Sequence, residues 1–290
     1  MENTKKTSRS YKVAGHVFNV EADFNIDEFL DNYEPFAVET QEPAIFTLNV
    51  VQGVAAPAYI EEVTQNEEGQ QILCGRNLSG ENMFDFQLRH KSTGVLVCST
   101  DYKSATVYVS DYMPRFCLNN SLMVLFALAT AGAGTLLFHS AVISHEKHAY
   151  MFLGKSGTGK STHARLWLKH IAGTDLLNDD NPVVRIVDNE IRVYGSPWSG
   201  KTPCYKNESY PLGGLVLLSQ APFNKISRIS GIEAYIAIIS SVSGKRWERW
   251  IADALHATEN TLAKEAPVWH LECLPDEEAA TLCFETIKVK

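Results

Sequence analysis

Hydrophobic positions in the first third of the chain follow the short, often alternating runs that are typical of β-strands. Six such runs are rich in β-branched or aromatic residues, and polar or glycine-containing stretches separate them. The predicted strands are Tyr11–Val20, Ile45–Val51, Gln71–Cys74, Met83–Arg89, Gly94–Ser99 and Thr106–Val109. Asp27–Asn32 is a candidate short helix. This pattern predicts a β-rich N-terminal domain over residues 1–115.

Beyond Met113-Pro114 longer apolar runs with helical spacing alternate with short strands, which predicts an α/β domain of partly α+β character over residues 116–290. Its predicted helices are Leu122–Ala133, Ser161–Ile171, Ile232–Ser240, Arg246–Ala257 and Asp276–Lys288. Its predicted strands are Leu136–Ser144, Ala149–Leu153, Asp175–Asn178, Val183–Val187, Ile191–Tyr194, Leu215–Leu218 and Val268–Leu274.

Two tryptophans stand among arginines in the helix predicted over Arg246–Ala257. One interpretation is a basic, aromatic binding surface. However, one face at helical spacing is formed by Trp247, Trp250, Ile251, Ala254 and Leu255. This periodicity favours an amphipathic helix that packs both tryptophans on the core.

Composition and charge exclude several classes of protein. The chain of 290 residues is 45% hydrophobic and 21% charged, as ordinary globular proteins are. Its net charge of -8 comes without a lysine- or arginine-rich run, so we expect no nucleic acid partner. The six cysteines include no C-x-x-C pair, which favours reduced thiols over a zinc site or a disulfide framework.

Nothing in the hydropathy pattern favours a membrane. The N-terminal residues 1–7 are polar and precede no apolar run of the kind found in signal peptides. The apolar stretch Leu122–Phe138 is shorter than the roughly 20 residues that a membrane-spanning helix needs. We therefore expect a cytoplasmic protein, and the sequence leaves homo-oligomerisation open.

The strongest chemical motif is a phosphate-binding loop, which matches G-x-x-x-x-G-K-[ST] in full. It lies between an apolar strand and a helix, the context that this motif requires. The predicted nucleotide-binding residues are Gly154, Lys155, Ser156, Gly157, Thr158, Gly159, Lys160, Ser161 and Thr162. Glycines allow backbone N–H groups to approach phosphate oxygens, and the helix N-terminus adds the positive end of its dipole.

Two side chains of this loop have individual roles in such a site. Lys160 is expected to place its ammonium between the β- and γ-phosphates, and Ser161 to offer its hydroxyl to a metal ion. The predicted ligands are therefore ATP and Mg²⁺.

Asp179 and Asp180 follow the strand predicted over Asp175–Asn178. A phosphate-loop enzyme needs a carboxylate near Mg²⁺, and a kinase also needs an acceptor for the proton of the attacking hydroxyl. Two adjacent aspartates can divide these tasks. A turn or helix cap would explain the same residues, but their place behind a full phosphate loop favours function.

Two further residues are candidates. His139 interrupts the apolar strand Leu136–Ser144, where a lone histidine is most often a core residue. Gly195–Lys201 follows a hairpin strand, and we hypothesise that this loop closes over the reacting phosphoryl group, with Lys201 adding positive charge. A plain surface turn with a solvated lysine is the alternative.

The order His139-Ser140-Ala141, strand, phosphate loop, helix and Leu177-Asn178-Asp179-Asp180 resembles the catalytic core of HPr(Ser) kinase/phosphorylase. That family is related in fold to ATP-dependent phosphoenolpyruvate carboxykinase. The resemblance spans roughly Leu136 to Leu218 and implies an HPr-kinase-like phosphate-loop domain. It does not extend to the β-rich N-terminal region.

The resemblance implies roles for individual residues. Asp179 would be the catalytic base and Asp180 the metal-side carboxylate, although the two can exchange roles. His139 would be a supporting polar or acid–base group. Thr162 stands where family members carry an acidic residue, and their Arg- and Gly-rich downstream segment has no counterpart. This indicates a diverged member whose acceptor need not be HPr.

We therefore expect an ATP-dependent phosphotransferase that acts on a hydroxyl, a serine of a protein or peptide or that of a small molecule. The alternative is a nucleotide-binding sensor or ATPase-type switch whose N-terminal domain binds a partner. A sensor has no need of a second carboxylate, so Asp179-Asp180 favours the transferase.

Overall fold

The computed structural model of the chain describes residues 7–67 and 69–289. The fold is mixed α/β with two sheets, 27% helix and 41% strand, which confirms the predicted α/β class. The chain forms two compact units, divided between Thr130 and Ala131. Residues 1–6 lie outside the described residues, so the structure does not bear on the prediction that the chain starts without a signal peptide.

The first unit contains an eight-stranded sheet. Its strands are β1 Thr7–Val13, β2 His16–Ala22, β3 Thr47–Gln52, β4 Tyr59–Glu67, β5 Gln70–Asn77, β6 Asn82–Leu88, β7 Lys91–Cys98 and β8 Ser104–Val109. The spatial order is β1-β2-β3-β8-β7-β6-β5-β4. The pairs β2/β3 and β3/β8 are parallel and the others antiparallel.

Three elements of this unit differ from the sequence prediction. The run Tyr11–Val20 is divided between two strands, because Ala14 and Gly15 form a two-residue turn with φ of 48° and 78°. Strand β4 escaped prediction because it is a polar edge strand. The expected helix at Asp27–Asn32 is two 3-10 segments, Asp27–Phe29 and Asp31–Phe36.

Helix α1, Pro114–Thr130, closes the first unit and packs against β6, β7 and β8. The division between the units therefore falls after this helix rather than at residue 115, where the sequence suggested it. With the 3-10 turn that follows, Pro114–Ala133 is long and apolar enough to cross a membrane. More than half of it is buried in the structure, as in the core helix of a globular protein.

In the described part of the second unit there are nine strands and four α-helices. Its strands are β9 Thr135–Leu137, β10 Ser140–His145, β11 His148–Leu153, β12 Thr174–Asp180, β13 Val183–Val187, β14 Glu190–Tyr194, β15 Ser209–Gln220, β16 Lys225–Ile229 and β17 Val268–Cys273. Its helices are α2 Lys160–His170, α3 Ile232–Ile239, α4 Arg249–Glu265 and α5 Glu277–Ile287.

The long strand β15 joins two parts of this second sheet. Its first half continues through β14 and β13 to β9, and its second half lies between β11 and β17. Strands β11, β15 and β17 are mutually parallel. Beyond β11 come β10 and then β12, each antiparallel to its neighbour, so β12 runs in the same direction as β11.

Helices α2 and α5 cover one face of this sheet. Their buried side chains share a core with the inner faces of β10, β11, β15 and β17. Trp167 of α2 is fully buried and contacts Tyr150, Phe152 and Phe284. The helix that follows the phosphate loop is therefore fixed rigidly on the strand that precedes the loop.

The prediction that Trp247 and Trp250 pack on the core is wrong. Helix α4 begins only at Arg249, so Trp247 precedes the helix, and the two tryptophans are 40% and 42% exposed. The buried face of α4 instead includes Ile251 and Leu255. Periodicity located the apolar face but extended it too far towards the N-terminus.

Candidate functional site

Four strand ends of the second unit meet along one edge of its sheet. Because β11, β12, β15 and β17 run in the same direction, their carboxyl ends, at Leu153, Asp180, Gln220 and Cys273, lie along a common edge. In open α/β sheets, ligands bind at this edge. The phosphate loop and the two aspartates predicted from sequence both lie here.

The motif Gly154–Ser161 covers the loop that joins β11 to α2 and the first two residues of α2, in a strand–loop–helix arrangement. Gly154, Gly157 and Gly159 have φ of 144°, 78° and 109°, values that favour glycine. A Cβ at Gly154 would lie 3.3 Å from the Leu218 carbonyl, whereas Gly157 and Gly159 border open space. The loop backbone is thus accessible at those two glycines.

Lys160 begins α2, and its side chain turns back across the loop. Its Nζ donates to the carbonyl oxygens of Gly154 at 2.9 Å and Lys155 at 3.4 Å, and the residue is 8% exposed. The loop carbonyls thus hold the ammonium group across the loop, and an ammonium is a charge-assisted donor of the kind that phosphate oxygens accept.

The other predicted nucleotide-binding residues of the loop differ in their contacts and exposure. Thr158 donates its hydroxyl to the Lys155 carbonyl and so closes the turn. Lys155 and Ser156 are exposed, and the Thr162 hydroxyl accepts from Arg165 at 3.4 Å.

Ser161 connects the loop to the first of the two aspartates. Its hydroxyl donates to Oδ1 of Asp179 at 2.7 Å, and Asp179 is 5% exposed. This contact brings together a hydroxyl and a carboxylate, which are hard oxygen ligands of the kind that Mg²⁺ prefers.

Asp180 is oriented differently from its neighbour. One of its carboxylate oxygens lies 3.6 Å from Nδ1 of His139, and the other accepts from Nδ2 of Asn181 at 2.9 Å. The side chains of His139 and Asp180 are 35% and 34% exposed. This pair is therefore open to a second ligand, whereas Asp179 is enclosed.

His139 does not lie inside a continuous strand, so the prediction for Leu136–Ser144 is wrong at this point. Strand β9 pairs with β13, whereas β10 pairs with β11 and β12, and the chain changes neighbours between them. The His139 amide donates to the Ser241 carbonyl at 2.7 Å. The histidine thus sits at a break between strands, partly exposed rather than in the core.

The loop Gly195–Lys201 lies against the strand end that carries both aspartates. The Gly200 amide donates to the Asp179 carbonyl at 2.6 Å, and Ser199 forms a bridge with Asp180. Lys201 follows directly and is exposed. The backbone of this loop is therefore at the site, and the Lys201 side chain is at its solvent-facing edge.

Sequence reasoning did not identify the polar residues beneath this loop. The buried Ser196 hydroxyl donates to the Asn181 carbonyl at 2.6 Å and accepts from Nδ2 of Asn178 at 3.2 Å. Among the described residues, the buried atoms Ser140 Oγ and Asn178 Oδ1 have no hydrogen-bond partner. In the sequence, Ser140 stands next to His139 and Asn178 next to Asp179. This adjacency could have marked them as site residues, but only the fold shows that these positions lie close together.

A further residue that the sequence did not indicate is His163, which lies one turn beyond Lys160 in α2. Its Nε2 accepts a hydrogen bond from Trp167 at 3.2 Å, and its ring stands edge-on to Phe152. Burial lowers the pKa of His163 to about 4. This neutral histidine packs the first turn of α2 onto β11, directly behind the loop.

Within residues 7–67 and 69–289, no group of three or more His, Cys, Asp or Glu side chains could hold a metal ion. The Ser161–Asp179 pair nevertheless fits Mg²⁺ in the way that phosphate-loop proteins bind it, with one or two protein ligands and the rest from phosphate and water.

The chain matches no protein-family model, and no curated protein matches it.

Proposed function

We propose that this protein is an ATP-dependent phosphotransferase that moves the γ-phosphoryl group to a hydroxyl, either that of a serine in a protein or peptide or that of a small molecule. The observation that carries this proposal is the division of the two aspartates. Asp179 contacts Ser161 of the phosphate loop, whereas Asp180 lies beside His139 and is open to solvent.

The phosphates are proposed to bind over the loop amides and the N-terminus of α2. Lys160 would exchange its carbonyl partners for oxygens of the β- and γ-phosphates. Ser161 and Asp179 would hold Mg²⁺, which neutralises charge on the phosphates. This geometry supports an exchange of the two aspartate roles relative to the first assignment implied by the family resemblance.

Asp180 is then the proposed base. The acceptor hydroxyl would give its proton to the Asp180 carboxylate as its oxygen forms a bond to the γ-phosphorus, and the bond between that phosphorus and the β–γ bridging oxygen breaks to release ADP. His139, 3.6 Å from Asp180, would orient this carboxylate or share the proton. The exposed face of this pair is where the acceptor would enter.

The nucleoside is proposed to lie on the opposite side of the loop from the aspartates. With the γ-phosphate near Asp179, the remaining phosphates would extend towards the ends of β15 and β17. There Gln220 donates to the Gly157 carbonyl at 3.3 Å. The apolar residues Phe223 and Leu274 are 49% and 39% exposed, and their turns are joined because Asn224 accepts from the Leu274 amide at 2.8 Å. These two side chains offer an apolar surface to a base.

The second candidate is a nucleotide-binding sensor or ATPase-type switch, with the first unit as its partner-binding module. Strand β4 is mostly exposed at the edge of the first unit's sheet, where an edge strand can pair with a partner, and the phosphate loop would bind the nucleotide. The paired Asp180 and His139 favour transfer, because a sensor needs only the Asp179 side of the site. We further propose a cytoplasmic location and no nucleic acid or membrane partner.

Labelled ATP distinguishes these candidates. The purified protein is incubated with γ-labelled ATP, Mg²⁺ and a host extract or defined hydroxyl acceptors, and label is followed in acceptor and in inorganic phosphate. We expect label in an acceptor with the wild type and none with Lys160→Ala. This substitution removes the positive charge that would face the β- and γ-phosphate oxygens, while the fold persists. Label released only as phosphate would favour the switch, and turnover by Lys160→Ala near that of the wild type would contradict the assignment of the loop.

A further inference from the structure

Asp180 has a backbone conformation that sets it apart from the other described non-glycine residues. Its φ is 141°, whereas the others with positive φ lie between 45° and 64°, in the left-handed helical region. The comparable values belong to Gly94 and Gly154, at 148° and 144°. Side chains with a Cβ rarely adopt this conformation, and such strain persists only where surrounding structure imposes it.

Hydrogen bonds surround the strained residue on both sides. On the preceding residue, the Asp179 carbonyl accepts from the Gly200 amide at 2.6 Å. On the following residue, the Asn181 carbonyl accepts from the Ser196 hydroxyl at 2.6 Å. Asp180 itself pairs with Ser140 of β10 on one side and bridges Ser199 on the other.

The approach of the loop to this strand end depends on Gly200. A Cβ there would lie 3.1 Å from the Asp179 carbonyl oxygen and 3.2 Å from the Asp180 Cβ. Ser196 is fully buried, and its hydroxyl also accepts from the Trp198 amide at 3.1 Å. Loop and strand end are therefore held together by buried and closely packed groups.

The strained backbone accompanies a carboxylate that is partly exposed. Ser140, the cross-strand partner of Asp180, is fully buried, yet 34% of the Asp180 side chain is exposed beside His139. We propose that Ser196 and Gly200 are positioning residues, which impose the conformation that presents the Asp180 carboxylate to the acceptor. This inference rests on the proposed function for its catalytic part, whereas the strain itself can be measured without any activity.

The first experiment measures strain in the nucleotide-free protein by thermal unfolding. In an ordinary strand, glycine is less stable than alanine by roughly 0.5–1 kcal/mol. At position 180 we expect the reverse, with Asp180→Gly melting higher than Asp180→Ala, since both lack the carboxylate and only glycine accepts φ of 141° readily. Asp175→Gly and Asp175→Ala provide the matched control on the same strand, where the ordinary order is expected. If Asp180→Ala melts as high as Asp180→Gly or higher, no strain is stored and the inference fails.

The second experiment asks whether the loop acts through Asp180. Gly200→Ala and Ser196→Ala are expected to lower kcat on the order of tenfold with little change in the KM for ATP. Added to Asp180→Gly, neither should lower the residual rate further, because the residue that they position is gone. A full additional loss in the double variants would overturn the positioning role. If the wild type transfers no phosphoryl group at all, the proposed function fails, while the melting order still decides whether the strain exists.

Discussion

The Ser161 hydroxyl donates a 2.7 Å hydrogen bond to Asp179, and this contact separates two adjacent aspartates that look equivalent in the sequence. Asp179 is enclosed beside the phosphate loop, while Asp180 faces His139 and is partly exposed. In the proposed function, Asp179 would therefore face the metal ion and Asp180 the acceptor.

Asparagine at each position should consequently produce a different defect. Asp180→Asn should lower kcat by something on the order of 10²–10⁴ with nucleotide affinity retained, as expected for loss of a base. Asp179→Asn should instead raise the Mg²⁺ concentration needed for half-maximal rate, because it removes a carboxylate next to Ser161. Titrating Mg²⁺ against rate for both variants measures this difference.

The opposite assignment remains a defined outcome of the same titration. If Asp179→Asn loses rate at every Mg²⁺ concentration while Asp180→Asn is restored by excess Mg²⁺, the roles are those first implied by the family resemblance. Identical profiles for the two variants would contradict any division of labour between them.

Local patterns predicted the elements around the site well. The strand before the loop and the helix after it were expected at Ala149–Leu153 and Ser161–Ile171, and they lie at His148–Leu153 and Lys160–His170. Each depends on a contiguous apolar run or on helical periodicity. The glycine pattern of the loop likewise reflects local backbone requirements.

Features that depend on distant pairing could not be predicted. The apolar run Leu136–Ser144 does not reveal that its two halves join different neighbours and leave His139 at the break. Likewise, nothing in the local sequence reveals that Ser196 and Gly200 form hydrogen bonds to the residues on either side of Asp180. Alternation along a strand assigns neighbouring side chains to opposite faces, but it cannot anticipate a φ of 141°.

The buried His163 predicts a pH dependence of stability. Its pKa is lowered to about 4 by burial, whereas in the unfolded chain it is expected near the ordinary value of 6.5. Between these values the unfolded state binds a proton that the folded state does not. This contribution to stability is therefore complete above pH 6.5 and is lost as the pH falls towards 4, by up to roughly 3 kcal/mol.

The matched variant is His163→Gln, whose amide oxygen can still accept from Trp167 but does not titrate. Urea unfolding at about pH 7.5 and about pH 4.5 should show a larger loss of unfolding free energy for the wild type than for the variant. An equal loss in both proteins would show that His163 does not remain neutral in the folded state.

The apolar surface at Phe223 and Leu274 predicts how the nucleoside is bound. Leu274→Ala and Phe223→Ala should raise the KM for ATP severalfold with kcat retained, because contacts to a base act equally in the ground and transition states. Leu168→Ala is the control, since Leu168 of α2 has the same 39% exposure as Leu274. Affinity for inorganic tripolyphosphate should be unchanged in all three variants. A normal KM in both test variants would place the base elsewhere.

Lys201 tests whether the loop that holds Asp180 also contributes charge to the reaction. Gly200 bonds to Asp179, so the adjacent Lys201 lies at the edge of the site, and its side chain is exposed. If it meets only the transferring group, Lys201→Ala should lower kcat on the order of tenfold and change the KM for ATP less, because the charge then acts in the transition state. The exposed Lys169 of α2 provides a matched charge removal, and Lys169→Ala should leave both constants unchanged. An unchanged kcat for Lys201→Ala would mean that the loop acts through its backbone alone, by holding Asp180.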